Sequence, residues 1–346
     1  MGALIGDALG LGCHWYYNLE ELRKDYGPWI SDYTTPRPER YHGGMKAGQL
    51  SQSGIILVML LESVVEKGRY EEDDFTRRLD AELFTRIDGT PANGPGGYTS
   101  QSIREAYRRR VLQKKSWKET GGHADTTEAA ERLMVLSARY AKKPHDVAMH
   151  VSSNCVLTQG DEAIVAMTTA YGCVLSLLIS GEKLDSEISG KLMRLVRNGE
   201  LPFHSVVKGD FLPPRPGDPD PPLAGKFSSP DALLTPGYAA LAARDPGISI
   251  EPAWKVSQVY GMPCAIYHVL PAAYYLASRF SGDFESAVLH AINGGGQNMA
   301  RAMLTGALAG AQVGLSGIPE RFITGLENGR RLADLALELG GQAARA

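Results

Sequence analysis

The sequence predicts an all-α fold, and three observations carry that expectation. Apolar residues recur at helical spacing through most of the 346 residues. Strand-type alternation is sparse. Two segments, Gly2-Ala3-Leu4-Ile5-Gly6 and Gly306-Ala307-Leu308-Ala309-Gly310, repeat small residues one helical turn apart. Small residues at that spacing let helix backbones approach closely, so these are read as two central helices packed on each other. No apolar 20-mer surrounds them, which argues against a membrane dimer motif.

The elements follow in order. Ile55 to Val65 is a dense apolar run that stops at Glu66-Lys67-Gly68. Glu72 to Arg86 and Ser102 to Leu112 are amphipathic, charged on one side. Thr126 to Tyr140 sets apolar and charged faces at helical spacing. Ala163 to Ile179 is apolar all round, but Thr168, Thr169, Tyr171, Gly172 and Ser176 make it too polar for a membrane span, so a buried helix is expected. Asp283 caps a helix that opens at Phe284. Ala300 to Leu315 and Arg321 to Leu339 close the chain. Pro, Gly and Asp concentrate from Pro202 to Pro252, most densely from Leu212 to Pro222. This is expected to be an irregular excursion within one domain of residues 1–346, either a lid or a surface loop. No repeat of 20 to 50 residues recurs.

Composition narrows the partners. The chain is 43% apolar and 22% charged, with a net charge of −3. Neither sign dominates, so neither nucleic acid nor a membrane surface is expected as a partner. The four cysteines, Cys13, Cys155, Cys173 and Cys264, form no C-x-x-C pair, which speaks against disulfides and structural zinc. With no signal peptide visible, a cytoplasmic protein is expected.

Motifs at both ends resemble the ADP-ribosylglycohydrolase superfamily, which includes the J1 crystallins. The start reads Gly6-Asp7-Ala8-Leu9-Gly10. The end reads Asn293-Gly294-Gly295-Gly296-Gln297-Asn298-Met299-Ala300-Arg301, then Thr305 to Ala311. Between them, Val156 to Ala163, Val269 to Ala273 with Asp283 to Ala287, and Gly314 to Arg321 are similar to further family segments in the same order. The resemblance implies a compact bundle of a dozen or more helices. It also implies a cleft that in the family holds two Mg²⁺ ions, on a Thr-Asp-Asp-Thr and a Gly-Gly-Asp-Thr-Asp-Thr segment.

This chain departs from the pattern at those two segments. The first aligns with Ser51-Gln52-Ser53-Gly54 and the second with Gln297-Asn298-Met299-Ala300. The carboxylates have become neutral amides and hydroxyls, too weak a set to offset the dehydration of divalent ions. No metal and no other cofactor is therefore expected. The family's active-site Glu of Gly-Asp-x-x-Gly-x-x-x-Glu aligns with His14. An imidazole titrates near neutral pH and can move protons both ways, so His14 is the first catalytic candidate. Asp7 is a second, with a backbone-holding role weighed equally. Arg301 is a third, as a positive charge in place of the metals, against a role on the surface or paired with Asp7.

Substrate-binding candidates are Ser51, Gln52, Ser53, Gln297 and Asn298 for hydrogen bonds, and Trp15, Tyr16 and Tyr98 for a flat ring. His123, in Gly121-Gly122-His123, is a weaker candidate. Cys264 is read as an inert buried thiol rather than a nucleophile. Three readings of function compete. The first is a metal-independent acid–base enzyme, lyase or hydrolase in type, on a small and partly aromatic molecule. The second is hydrolysis of an ADP-ribosyl or other ribosyl bond. The third is a silent binder or a structural protein like the J1 crystallins. The oligomeric state is left open.

Overall fold

At the centre of the protein two helices cross with their backbones touching. In the computed structural model, a Cβ built on Gly2 of the Gly2–Leu11 helix would lie 2.0 Å from the Gly306 carbonyl oxygen. One on Gly6 would lie 2.2 Å from the carbonyl oxygen of Ala302. Only glycine permits this approach to the Asn298–Val313 helix. Every residue of Gly2–Leu11 is buried, as the small-residue spacing predicts.

The structure describes residues 1–204, 215–217, 225–227 and 231–345. Among these are sixteen α-helices and no named strand; two isolated bridges, Gly122 with Gln159 and Phe203 with Phe227, are the whole of the β content. The Phe284–Asn293, Ile266–Arg279 and Glu162–Ile179 helices pack around the central pair. Gln52–Lys67 lies against the N-terminal helix and is backed by Met134–Arg139 and Gly329–Arg345. Glu162–Ile179 is long and apolar enough to cross a membrane, but 72% of that window is buried inside the bundle. Its buried Leu and Ile side chains each contribute about 1.5–3 kcal/mol as core residues.

Three expectations need correction. From Thr126 to Tyr140 only Met134–Arg139 is α-helix. Before it, the Gln159 side chain takes the Ala129 N–H (2.8 Å) and donates to the carbonyls of Ala124 and Thr126. Those side-chain bonds satisfy backbone groups that a helix would otherwise pair. Near the C-terminus the chain forms two helices, Glu320–Gly325 and Gly329–Arg345, parted at Asn328, whose φ is 57°. The excursion from 202 to 252 contains a helix, Asp231–Arg244, despite Pro236 within it. Most of Leu212 to Pro222 lies outside the described residues.

Candidate functional site

A cleft of about 340 Å³ opens where the N-terminus of Gln52–Lys67, the glycine loop before Asn298 and the turns before Met134 meet. A second cavity of about 520 Å³ lies beyond a wall made by His14, Trp15 and His42. Another, of about 230 Å³ beside Met1 and Leu337, is apolar and has no acidic or imidazole side chain in its lining, so it has no acid–base chemistry to offer.

The floor is set by Asp7. Its carboxylate takes the Ser51 N–H (2.8 Å) and the Ser51 hydroxyl (2.5 Å). Ser51 in turn accepts the N–H groups of Ser53 and Gly54 as the helix cap. Burial raises the Asp7 carboxyl to about 6, against the pull of these bonds. Asp7 thus holds backbone, one of its two expected roles, and it is absent from the cleft lining. Ser51, Gln52 and Ser53 do line the cleft. Gln52 donates to Thr99 Oγ1 (2.9 Å), which ties the helix to the Gly94–Gly97 loop.

The second wall rests on the glycines at 294 to 296. Gly295 and Gly296 have φ of 63° and 61°, and a Cβ on Gly295 would lie 2.5 Å from the Tyr16 carbonyl oxygen. Trp15 itself sits at φ 62°, a sparsely populated conformation for a large side chain. It is held by Trp15 N–H to Gly296 O (3.2 Å) and Gly296 N–H to Tyr16 O (2.8 Å). The strained turn swings the indole over the cleft, stacked on His14 at 4.4 Å and edge-on to Tyr98 at 4.5 Å.

Four expected site residues are turned elsewhere. Tyr16 is fully buried, donates to Asp25 (2.7 Å) and lies under Arg40, whereas its neighbour Tyr17 reaches the second cavity. Arg301 is neither on the surface nor paired with Asp7. It is buried and spends its guanidinium on the carbonyls of Ala291 (2.9 Å) and Gly295 (2.6 Å). These are orphan acceptors at the end of Phe284–Asn293 and in the loop that follows it, and a planar fork of donors suits them. Asn298 is fully buried and donates to Cys13 Sγ (3.0 Å) and Gly10 O (3.3 Å). His123 is exposed and outside the cleft; its backbone N–H donates to Glu105.

His14, Trp15, Gln297 and Tyr98 do converge. His14 is 4% exposed, with Nδ1 2.8 Å from His42 Nε2 and Nε2 3.1 Å from Gln297 Oε1. Burial first, and the neighbouring His42 second, hold its basicity well below the usual imidazole value. Gln297 Oε1 also accepts Trp15 Nε1–H (2.5 Å) and the Cys264 thiol (3.3 Å). Burial raises the Cys264 thiol above its ordinary value, yet the residue is only partly buried and lines the cleft, where an inert buried thiol is expected from the sequence.

Two acids that sequence reasoning missed face this wall. Glu131 is 2% exposed and accepts the Thr127 hydroxyl (2.6 Å). Burial, and then the nearby Glu128, push its carboxyl up to about 7. Burial also raises Glu128. Both fall in the Thr126 to Tyr140 run, where the sequence predicts apolar and charged faces at helical spacing. The available signal was Arg132, a third charge on the apolar side of the same run, which is also buried.

At the positions aligned with the family's two metal segments, the carboxylates are replaced, and the Asp7 and Gln297 oxygens nearby are already engaged. Both Asp7 oxygens are committed to Ser51 and Gln297 Oε1 is crowded by three neighbours. Among the described residues, no group of three or more His, Cys, Asp or Glu side chains is placed to hold a metal.

The family model for ADP-ribosylglycohydrolase matches residues 1–346. An uncharacterised protein of Archaeoglobus fulgidus is 26% identical over 345 residues, spanning 98% of this chain and 93% of that one. A solved structure described as an ADP-ribosylglycohydrolase-related protein complex superposes with a TM-score of 0.60 at 17% identity, over 99% of this chain and 95% of that one. That likeness is one of fold. The chain belongs to the ADP-ribosylglycohydrolase family.

Proposed function

We propose that this member of the ADP-ribosylglycohydrolase family is a metal-independent acid–base enzyme, lyase or hydrolase in type, acting on a small and partly aromatic molecule. One observation carries the reading. Glu131 and His14 face the same cleft with basicities displaced in opposite directions. Near neutral pH a carboxyl raised to about 7 still holds its proton in a large share of molecules, while a lowered imidazole is neutral. An acid and a base are then ready at once, which is how two titratable groups divide acid and base roles. Trp15 and Tyr98 offer ring faces to a flat substrate, and Ser53 offers a polar contact.

An open cleft with polar walls speaks against the purely structural form of the silent reading, which expects a cavity packed shut. Four free cysteines are in keeping with a reducing cytoplasm. Family membership favours a second reading, hydrolysis of a ribosyl bond, in which Glu131 protonates the leaving group and His14 activates water.

The test is a thermal-shift screen of phenols, nucleosides and ADP-ribose, each with and without Mg²⁺, followed by turnover of whatever stabilises. Stabilisation by aromatic compounds that ignores Mg²⁺, with turnover that survives EDTA, is expected. Stabilisation by ADP-ribose only when Mg²⁺ is present would overturn the proposal.

A further inference from the structure

The hydrogen bonds through His14 do not close with neutral histidines. The chain of contacts runs Gly96 O to His42 Nδ1 (2.8 Å), His42 Nε2 to His14 Nδ1 (2.8 Å), and His14 Nε2 to Gln297 Oε1 (3.1 Å). Both ends are acceptors. Three contacts need three protons, and two neutral imidazoles carry two. Turning the Gln297 amide round would supply the third proton, but the Trp15 indole N–H can only donate and requires Oε1 where it stands.

The missing proton therefore belongs to the longest and least committed contact, at His14 Nε2. Gly96 O fixes the proton of His42 on Nδ1, which leaves His42 Nε2 as an acceptor. That acceptor fixes the proton of His14 on Nδ1. The His14 Nε2 lone pair is then left against Gln297 Oε1 with no proton between them, and both residues line the cleft. The anchor is closely packed: Gly96 has φ 81°, and a Cβ there would lie 2.0 Å from the Gln52 amide nitrogen.

We infer that His42 is a positioning residue, which selects the tautomer of His14 and makes its Nε2 the base of this site. The inference rests on the acid–base reading above. A proton leaving an O–H, N–H or C–H of the bound molecule moves to Nε2, and its electron pair stays on the atom it left. The imidazolium so formed donates to Gln297 Oε1, and all three contacts are then filled. Repulsion between adjacent imidazoles admits one proton to the pair, not two. The other charged or titratable groups facing the pair are Glu39, Arg40, Tyr17 and Tyr41 in the second cavity. Across the cleft they are Asp125, Glu128, Glu131, Arg104, Tyr98 and Cys264.

The experiment is long-range ¹H–¹⁵N NMR of the histidine-labelled full-length protein near neutral pH, beside turnover of the substrate found in the screen. The wild type is expected to show His14 protonated on Nδ1. His42→Phe removes the acceptor, so His14 is expected to shift its proton to Nε2, toward Gln297. In His42→Gln the carboxamide keeps both an acceptor for His14 and a donor for Gly96 O, so the wild-type tautomer is expected to return. With kcat lowered in His42→Phe, KM little changed and the His14→Ala/His42→Phe double variant no worse than His14→Ala, the pair acts as one unit. A wild-type His14 protonated on Nε2, or a tautomer indifferent to His42→Phe, would overturn the inference whatever the activity. The expected tautomers with full turnover in His14→Ala would support the tautomer control and remove the catalytic reading instead.

Discussion

On one wall of the cleft a strained Trp15 stacks on His14 and both meet Gln297; on the other, Glu131 takes a hydrogen bond from Thr127 in a turn held by Gln159. The walls carry opposite chemistry, yet the same cause tunes both. Removal from water disfavours charge, so it raises an acid and lowers a base. Burial is the largest contribution at His14 and at Glu131 alike. A cleft that buries both kinds of group sets an acid of raised pKa against a base of lowered pKa.

The comparison can be broken most severely at the basic wall. His14→Ala removes the base, and turnover should fall by about 10²–10⁴-fold with the fold intact by circular dichroism. An unchanged rate would remove His14 from the chemistry. Glu131→Gln keeps the shape and removes the acid, and a loss of about 10²-fold is expected in kcat, with KM little changed. Comparable losses at both walls would sharpen the symmetry; a loss at one alone would break it.

Stability separates the groups in another way. A carboxyl raised from 4.5 to about 7 on folding contributes stability that is complete below the unfolded value and is lost as pH rises through the folded one. The melting temperature of Glu131→Gln relative to wild type should therefore increase from pH 4.5 to pH 7, by an amount on the order of 1–3 kcal/mol in free energy. A difference that stays flat across that window would mean that Glu131 is ionised in the folded protein.

Arg301 and His123 mark the limits of the site. Arg301→Met leaves the carbonyls of Ala291 and Gly295 unpaired, and chemical denaturation should record a loss of about 1–3 kcal/mol, with the loop beneath Trp15 loosened. His123→Ala, on the surface, should change stability by less than about 0.5 kcal/mol and leave turnover alone. Lost activity there would place the cleft wrongly.

The central helix pair was legible because glycine spacing leaves little choice: Gly2 and Gly6 meet Gly306 and Ala302 as the small-residue pattern predicts. His14, Trp15, Tyr98, Ser51, Gln52, Ser53 and Gln297 were legible from their places beside the motifs. Asp7, Arg301 and Asn298 share those motifs and are buried beneath the site, because residue type alone does not say whether a polar side chain serves backbone or substrate. Glu128 and Glu131 were hidden for the opposite reason. Their spacing suits an amphipathic helix, and only Gln159, some thirty residues later in the chain, takes the backbone out of that conformation.

The most direct test of two walls tuned by burial is the pH profile of kcat/KM, measured on enzyme exhaustively dialysed against EDTA. The account predicts full activity and a bell. The rising limb lies below the usual imidazole value, and the falling limb, at about 7, is absent in Glu131→Gln. Activity abolished by EDTA and restored by Mg²⁺, or a rate that climbs steadily into alkaline pH, would contradict it.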